Sequence, residues 1–410
     1  MNNALSPEDA AAASAALARL DRLEGYLKAD PANPQLLAEA FETSLQCRQW
    51  DRAAFHLQHG KALEAEALSW RLKEGDLLLA QELYPQARAA LQALQHVDQA
   101  PAEFRAVVLH NLAYIEFRQG RYAECVAELS EYMEGFADAL AASLPARLLR
   151  QMWLRSLHRT AELDRACNWI REAEKTQVLD PDSAAIASLI AIDAGDPANA
   201  QRLASLASLA LKHAQAQAQG LPAVPAELLV TQLTLALGAR NADEAIAWAD
   251  QALQRNHSDG RAWSGRAFAL LLKGELKLAR QDFARALQGM PGHIGTWHGQ
   301  GWAELLDHDL DAAQASFAKA LEMDRNFAES HGGMAVVLAL KQQTQEARQH
   351  AERALGLDKN NMSGRYAEAL LNGEVKDQAA IRKLAQRLLA SRKNLSGVNI
   401  PDFTAGSSPD

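Results

Sequence analysis

Ala245, Ala279, Ala313 and Ala347 stand 34 residues apart, and the residues around them repeat with them. Shifting "WSGRAFALLLKGELKLARQDFARALQGMP" by 34 residues gives "WHGQGWAELLDHDLDAAQASFAKALEMDR", which sets Trp263 on Trp297, Ala267 on Gly301, Phe283 on Phe317 and Ala286 on Ala320. Ala249 and Ala252 carry the pattern upstream, and Ala351 and Ala354 carry it downstream. A fixed period of this length constrains the fold more tightly than composition does. Each repeat is one small supersecondary unit that cannot bury its apolar face alone, so stacking on its neighbours closes the core.

Upstream the same unit recurs with spacers. Short apolar helices break at "RQWDRAAF", "LYPQARAAL", "GRYAECVAEL", "ELDRACNWI" and "DPANAQRLASL". The small residues there, Ala53, Ala87, Cys125, Ala166 and Ala200, are separated by 34, 38, 41 and 34 residues, with 45 more to Ala245. Extra residues between units are expected if each unit folds as a hairpin and insertions go to the connecting loops. Each unit reads as helix, tight turn, helix. The first helix carries a large apolar residue and a small one four positions on, hence on one face. The second carries small, larger apolar and small residues at offsets 0, 4 and 7, one continuous stripe. Gly120, Gly195 and Gly274 mark turns, and Pro101, Pro181 and Pro291 are expected to terminate second helices.

Ala and Leu dominate the apolar 48% of the 410 residues, which favours helix because neither loses much side-chain freedom there. The net charge of −9 argues against nucleic acid as the main target. Arg147, Arg150, Arg155 and Arg159 form a local basic patch that reads as a solvated helix face. Cys47, Cys125 and Cys167 are odd in number, far apart and without a Cys-x-x-Cys pair, which points to buried reduced thiols, with Cys125 at a packing position. The N-terminus has no basic leader and reads as a helix with Ser6 as N-cap and Pro7 at its first position. No run of about 18 apolar residues is present to span a bilayer. A cytoplasmic location is the expectation.

The stretch "GHIGTWHGQGWAEL" looks most like an active site. The register accounts for it: Gly301 is the small residue four after Trp297, and Gly292 and Gly295 are expected in the turn after Pro291. A dinucleotide loop needs Gly-x-Gly-x-x-Gly after a strand, and neither is present. His293, His298 and His308 have no Cys beside them and no His-Glu-x-x-His helix, so no metal is expected. His56 and His59 read as surface residues. No nucleophile–base constellation emerges, and neither catalysis nor a cofactor is expected.

These repeats resemble the tetratricopeptide repeat (TPR) family, whose pattern runs Trp, Leu-Gly, Tyr, Ala, aromatic, Ala, Pro. The unit beginning near Gly260 matches best, through Trp263, Gly274, Ala279, Phe283, Ala286 and Pro291. Arg266 and Gln300 depart from the expected Leu, and Glu304 from the expected Tyr. The resemblance implies an all-α, right-handed α-solenoid superhelix of about nine TPR-like helix pairs. Residues 1–33 would form an N-terminal capping helix, 34–214 a block of about five degenerate units, and 215–225 a linker or break. Residues 226–361 would form four further units, 362–391 capping helices and 392–410 a disordered tail.

In the resembling family the first helix of each unit lines a concave face that holds extended peptides or a partner helix. Carried to matching positions, the C-terminal groove would present Glu227, Val230, Thr234, Arg261, Ser264, Phe268, His298 and Trp302. The N-terminal groove would present His110, Tyr114, Gln151 and Arg155. Trp302 has two readings, an exposed interface anchor or the filler of a void left by Gln300 and Glu304. No unit carries the Lys–Asn pair of the family's carboxylate clamps. The function implied is a non-enzymatic scaffold that binds one or more protein or peptide partners, with no nucleic acid and no membrane span. A regulatory or substrate-recruiting subunit of an enzyme complex, or a secretion or envelope-assembly factor, is the alternative. Self-association through the end helices stays open.

Overall fold

The computed structural model describes residues 7–64, 67–95, 97, 100–135, 143–176, 179–217 and 224–374, with the side chains of 7–13, 176 and 214–217 outside that description. Ser6, the end-helix residues 375–391 and the tail 392–410 therefore lie outside the described residues. Those described form helices and turns only, grouped in two compact units, Met1–Glu162 and Leu163–Asp410.

The first unit holds α1 (Pro7–Ala29), α2 (Pro34–Gln46), α3 (Trp50–Leu63), α4 (Leu68–Ala80), α5 (Tyr84–Gln95), α6 (Ala102–Arg118), α7 (Tyr122–Glu134) and α8 (Leu144–Arg159). The second holds α9 (Leu163–Thr176), α10 (Pro181–Asp193), α11 (Pro197–Gln217), α12 (Ala226–Gly238), α13 (Ala242–Arg255), α14 (Gly260–Lys273), α15 (Leu276–Gly289), α16 (Ile294–Leu306), α17 (Leu310–Met323), α18 (Ala328–Leu340), α19 (Thr344–Leu357) and α20 (Met362–Leu371). Within a unit each even-numbered helix from α2 onward packs on the helix that follows it, and from α4 onward it packs also on the next even-numbered helix. Both units are thus all-α stacks of TPR-like helix pairs.

Starts are written in the sequence. Asn33 accepts from the amides of Gln35 and Leu36 at 3.1 Å, ahead of Pro34, and Asp259 accepts from Arg261 at 3.0 Å and Ala262 at 3.1 Å. The turn inside a pair has one form throughout. Arg48, Glu82, Gly120, Ala161, Gly195, Arg240, Gly274, His308 and Gln342 all have φ between 55° and 80°. The residue after each donates its amide to the carbonyl five residues earlier at 2.9 Å, the bond that closes a helix end through a left-handed residue. Five residues beyond each left-handed residue comes the small one. All nine of these, Ala53, Ala87, Cys125, Ala166, Ala200, Ala245, Ala279, Ala313 and Ala347, are 0% exposed.

Four residues further on, Leu91, Leu129, Phe283 and Phe317 fill the space that those small residues leave. Each such side chain taken from water stabilises the fold by about 1.5–3 kcal/mol. Gly301 is part of the same packing: a Cβ there would lie 2.8 Å from Cε1 of Phe317.

Some expectations are corrected. Pro101 and Pro181 do not end second helices: Pro101 is the N-cap of α6 and Pro181 the first residue of α10. A ring that fixes φ and lacks an N–H suits a helix start, where that donor has no partner anyway. Gly295 lies inside α16, because His293 caps it through Nδ1, which accepts from the Thr296 amide at 3.2 Å. His56 is buried, 3.1 Å from Glu24 on α1, which covers a face read as surface. Arg150 is buried within the supposed solvated patch. Cys125 is buried as expected, but Cys47 and Cys167 are only half-buried. The compact units divide at Glu162, and α10 packs on both α11 and α12.

Candidate functional site

The residue eleven positions before each buried small residue lies on the first-helix face. The first unit has Glu42, Asp76, Tyr114 and Arg155 there, and the second has Leu189, Thr234, Phe268, Trp302 and Val336. Along the first unit the row is polar, with Glu42 exposed and the other three half-buried; along the second it is almost wholly apolar and every member is buried. One repeat position serves two different ends.

In the second unit the expected groove residues are taken up by the protein itself. Phe268, 3% exposed, meets Phe283 edge-on at 4.8 Å. Ser264 is fully buried, its hydroxyl 3.0 Å from that of Thr296. Val230 is buried, and Thr234, also buried, donates to its carbonyl at 2.9 Å. Arg261 pairs with Asp193 at 2.6 Å. Trp302, 3% exposed, sits edge-on to Phe317 at 5.9 Å. It is therefore not an open anchor. Gly301 and Gly333 bring Phe317 against the backbones of α16 and α18, and the indole closes over the same ring. Nor does it stand in for Gln300 and Glu304: Glu304 is itself buried, accepting from Gln300 at 2.8 Å and from Ser316 at 2.7 Å. His298 lies between Trp302, Ser330 and the rings of Phe317 and Phe327. Glu227 is half-buried.

In the first unit the structure brings His110 and Tyr114 together, stacked at 6.1 Å with their planes 17° apart. It adds two residues that the sequence reading did not single out. Asn111 on α6 donates from Nδ2 to Oδ1 of Asp76 on α4 at 2.8 Å, and its Oδ1 is 3.0 Å from Nδ1 of His110. The repeat register was signal enough for Asp76, since it occupies the position of Tyr114 one unit earlier. Gln151 and Arg155 are half-buried on α8.

Burial sets the electrostatics of this cluster. It pushes the Asp76 carboxyl up to about 6, against the opposing effects of the Asn111 bond and of Lys73, while Glu42 adds to the rise. Burial likewise lowers the basicity of His110. Lys73 is held elsewhere, 2.6 Å from Glu42 and over the rings of Phe41 and Trp70. Cys125, the one fully buried thiol, is pushed up to about 11 by burial, which makes it a poor nucleophile.

No protein-family model matches this chain, and no curated protein matches it. Among solved structures it is similar to YrrB, described as a TPR protein with an unusual peptide-binding site, with 17% identity over 58% of this chain and 97% of that one at a TM-score of 0.32. It is similar to PilF of Pseudomonas aeruginosa, with 12% identity over 54% of this chain and 96% of that one at a TM-score of 0.42. A tetratricopeptide repeat protein from Parabacteroides merdae shows 14% identity over 74% of this chain and 97% of its own, at a TM-score of 0.33. These are likenesses of fold; the TPR-like pairing of this chain rests on its own turns and buried alanines.

Proposed function

We propose that this protein is a non-enzymatic scaffold that binds a peptide or helical segment of a partner protein along the first-helix face of its N-terminal unit. The observation that carries the reading is the change in the row eleven residues before the small positions. Stacking consumes that row in the second unit, whereas in the first it leaves polar, hydrogen-bonded and partly accessible groups that packing does not require. An ordered polar surface with an aromatic member suits recognition, because little rotamer freedom is left to lose on binding. The half-buried and buried thiols, none in a disulfide among the described residues, support a reducing, cytoplasmic setting.

The test is site-specific photocrosslinking in cell extract. A photoreactive phenylalanine at Gln35 or Ser69, both exposed on first helices, is expected to capture a partner that the same group at Gln86 or Glu124, exposed on second helices, does not. Capture only from Gln86 or Glu124 would overturn the reading.

A further inference from the structure

The hydrogen-bond pattern around Asp76 fixes what its site can accept. An ionised carboxylate only accepts, so the Asn111 group facing Asp76 must be the amide NH2, and the Asn111 oxygen must face His110. His110 then carries its proton on Nδ1, and its Nε2 presents a lone pair. Neither Oδ2 of Asp76 nor Nε2 of His110 has a hydrogen-bond partner among the described residues. The cluster therefore offers acceptors, a carboxylate oxygen and an imidazole nitrogen, next to the stacked ring of Tyr114.

Charge points the same way. Glu42 and Asp76 are two carboxylates and Lys73 is one ammonium, already bound to Glu42 at 2.6 Å and seated over two aromatic rings. Arg118, on the Tyr114 side of α6, is held by Tyr84 and by Glu82, the latter at 3.3 Å. One negative charge near Asp76 is left without a hydrogen-bonded cation. The stacked faces of His110 and Tyr114 beside it suit a planar cation.

We propose that Asp76, with His110 and Tyr114, forms a subsite for a single basic side chain, arginine above lysine, of the bound partner segment. The inference rests on the first-helix reading above and names the chemistry that reading lacks. Arginine fits better than lysine because a planar guanidinium can donate to the carboxylate and stack on the rings at once, whereas an ammonium acts as a point charge. An anionic segment is excluded from this subsite by Asp76 and Glu42.

The experiment titrates the full chain with the peptide acetyl-Gly-Ser-Arg-Ser-Gly-amide and with its citrulline counterpart, which keeps the shape and loses the charge. NMR follows the ring signals of His110 and Tyr114. Saturable shifts at both rings are expected with the arginine peptide, with affinity at least tenfold above that of the citrulline peptide. D76N is expected to lose the preference while keeping its helical circular dichroism, because asparagine retains an acceptor for Asn111. E124Q, changed on an exposed second-helix position outside the cluster, is expected to bind as the parent does. Equal binding of the two peptides, an unchanged preference in D76N, or no saturable shift at His110 would each overturn the proposal. Crosslinks from Gln35 or Ser69 alongside equal peptide binding would sink this inference alone. Crosslinks only from second helices would sink the first-helix reading and this inference with it.

Discussion

The indole N–H of Trp302 donates to Nε2 of His298, 3.0 Å away and one helical turn earlier on α16. Because Nε2 accepts, the His298 proton sits on Nδ1 and faces Ser330 at 3.3 Å. The pair joins α16 to α18 inside the core, so Trp302 acts on stability. Trp302→Phe is expected to cost about 1–2 kcal/mol, chiefly the acceptor left unpaired, and Trp302→Ala about 3–5 kcal/mol. Urea unfolding measures both, and a change below about 0.5 kcal/mol for the alanine variant would mark a surface residue instead.

Two glycines inside helices should respond in opposite directions to the same substitution. At Gly301 a methyl meets the ring of Phe317 at 2.8 Å, a fully buried side chain with little room to move. Gly301→Ala is expected to destabilise by about 1–3 kcal/mol. At Gly25 on α1 nothing lies within 4 Å, and Gly25→Ala is expected to stabilise by about 0.5–1 kcal/mol through lower backbone entropy in the unfolded chain. Paired thermal melts decide, and effects of the same sign would refute the packing account of Gly301.

The left-handed turns make a third contrast. Glu82 and Gln342, at φ 58° and 62°, hold a conformation that an L side chain resists. Replacing either with glycine is expected to raise stability by about 0.5–1 kcal/mol, while Gly274→Ala, at φ 80°, is expected to lower it by about 1 kcal/mol. Should the glycine variants prove less stable than the parent, the turns are set by contacts of those side chains and not by backbone geometry.

Asp76 gives a pH signature of known sign. Its ordinary value is 3.8, and burial raises it to about 6, so between those limits the folded chain holds a proton that the unfolded chain has released. Stability from this group is therefore fully present below about pH 4 and lost as pH rises through 6. The neighbours facing it, Lys73, Glu42, Asn111 and His110, are untouched by Asp76→Asn. That variant is expected to be more stable than the parent by about 1–2 kcal/mol at pH 7 and by much less at pH 4. An equal difference at the two pH values would disprove the ionisation account.

The recurrence of alanine revealed the helix pairs because close approach of two helices leaves few residue choices, and all nine small positions are buried where the spacing put them. The left-handed turns were legible only at Gly120, Gly195 and Gly274. At Arg48, Glu82, Ala161, Arg240, His308 and Gln342 no residue type advertises the conformation, which the flanking helices impose. The face residues were harder still. Register assigns Phe268, Trp302 and Tyr114 the same place in their units, but whether that place is covered depends on neighbours such as Gly299, which meets Phe268 from the next unit. Asp76 stands at the same register position, where a lone aspartate on a helix usually means a wet surface. Its meaning comes from Asn111, 35 residues on.

Each of the nine left-handed turns inside a pair lies five residues from a residue with no exposed surface, whereas successive units are spaced anywhere from 34 to 45 residues apart. Length is thus policed inside a hairpin and ignored between hairpins. Removing one residue between a turn and its alanine would swing the remainder of that helix by about 100° and carry the apolar stripe out of the core. Adding several in the joins after α7 or α11 would shift no stripe at all. A chain built this way changes length by whole hairpins or at their joins, and anything fused or inserted there inherits a stack whose internal phase has not moved.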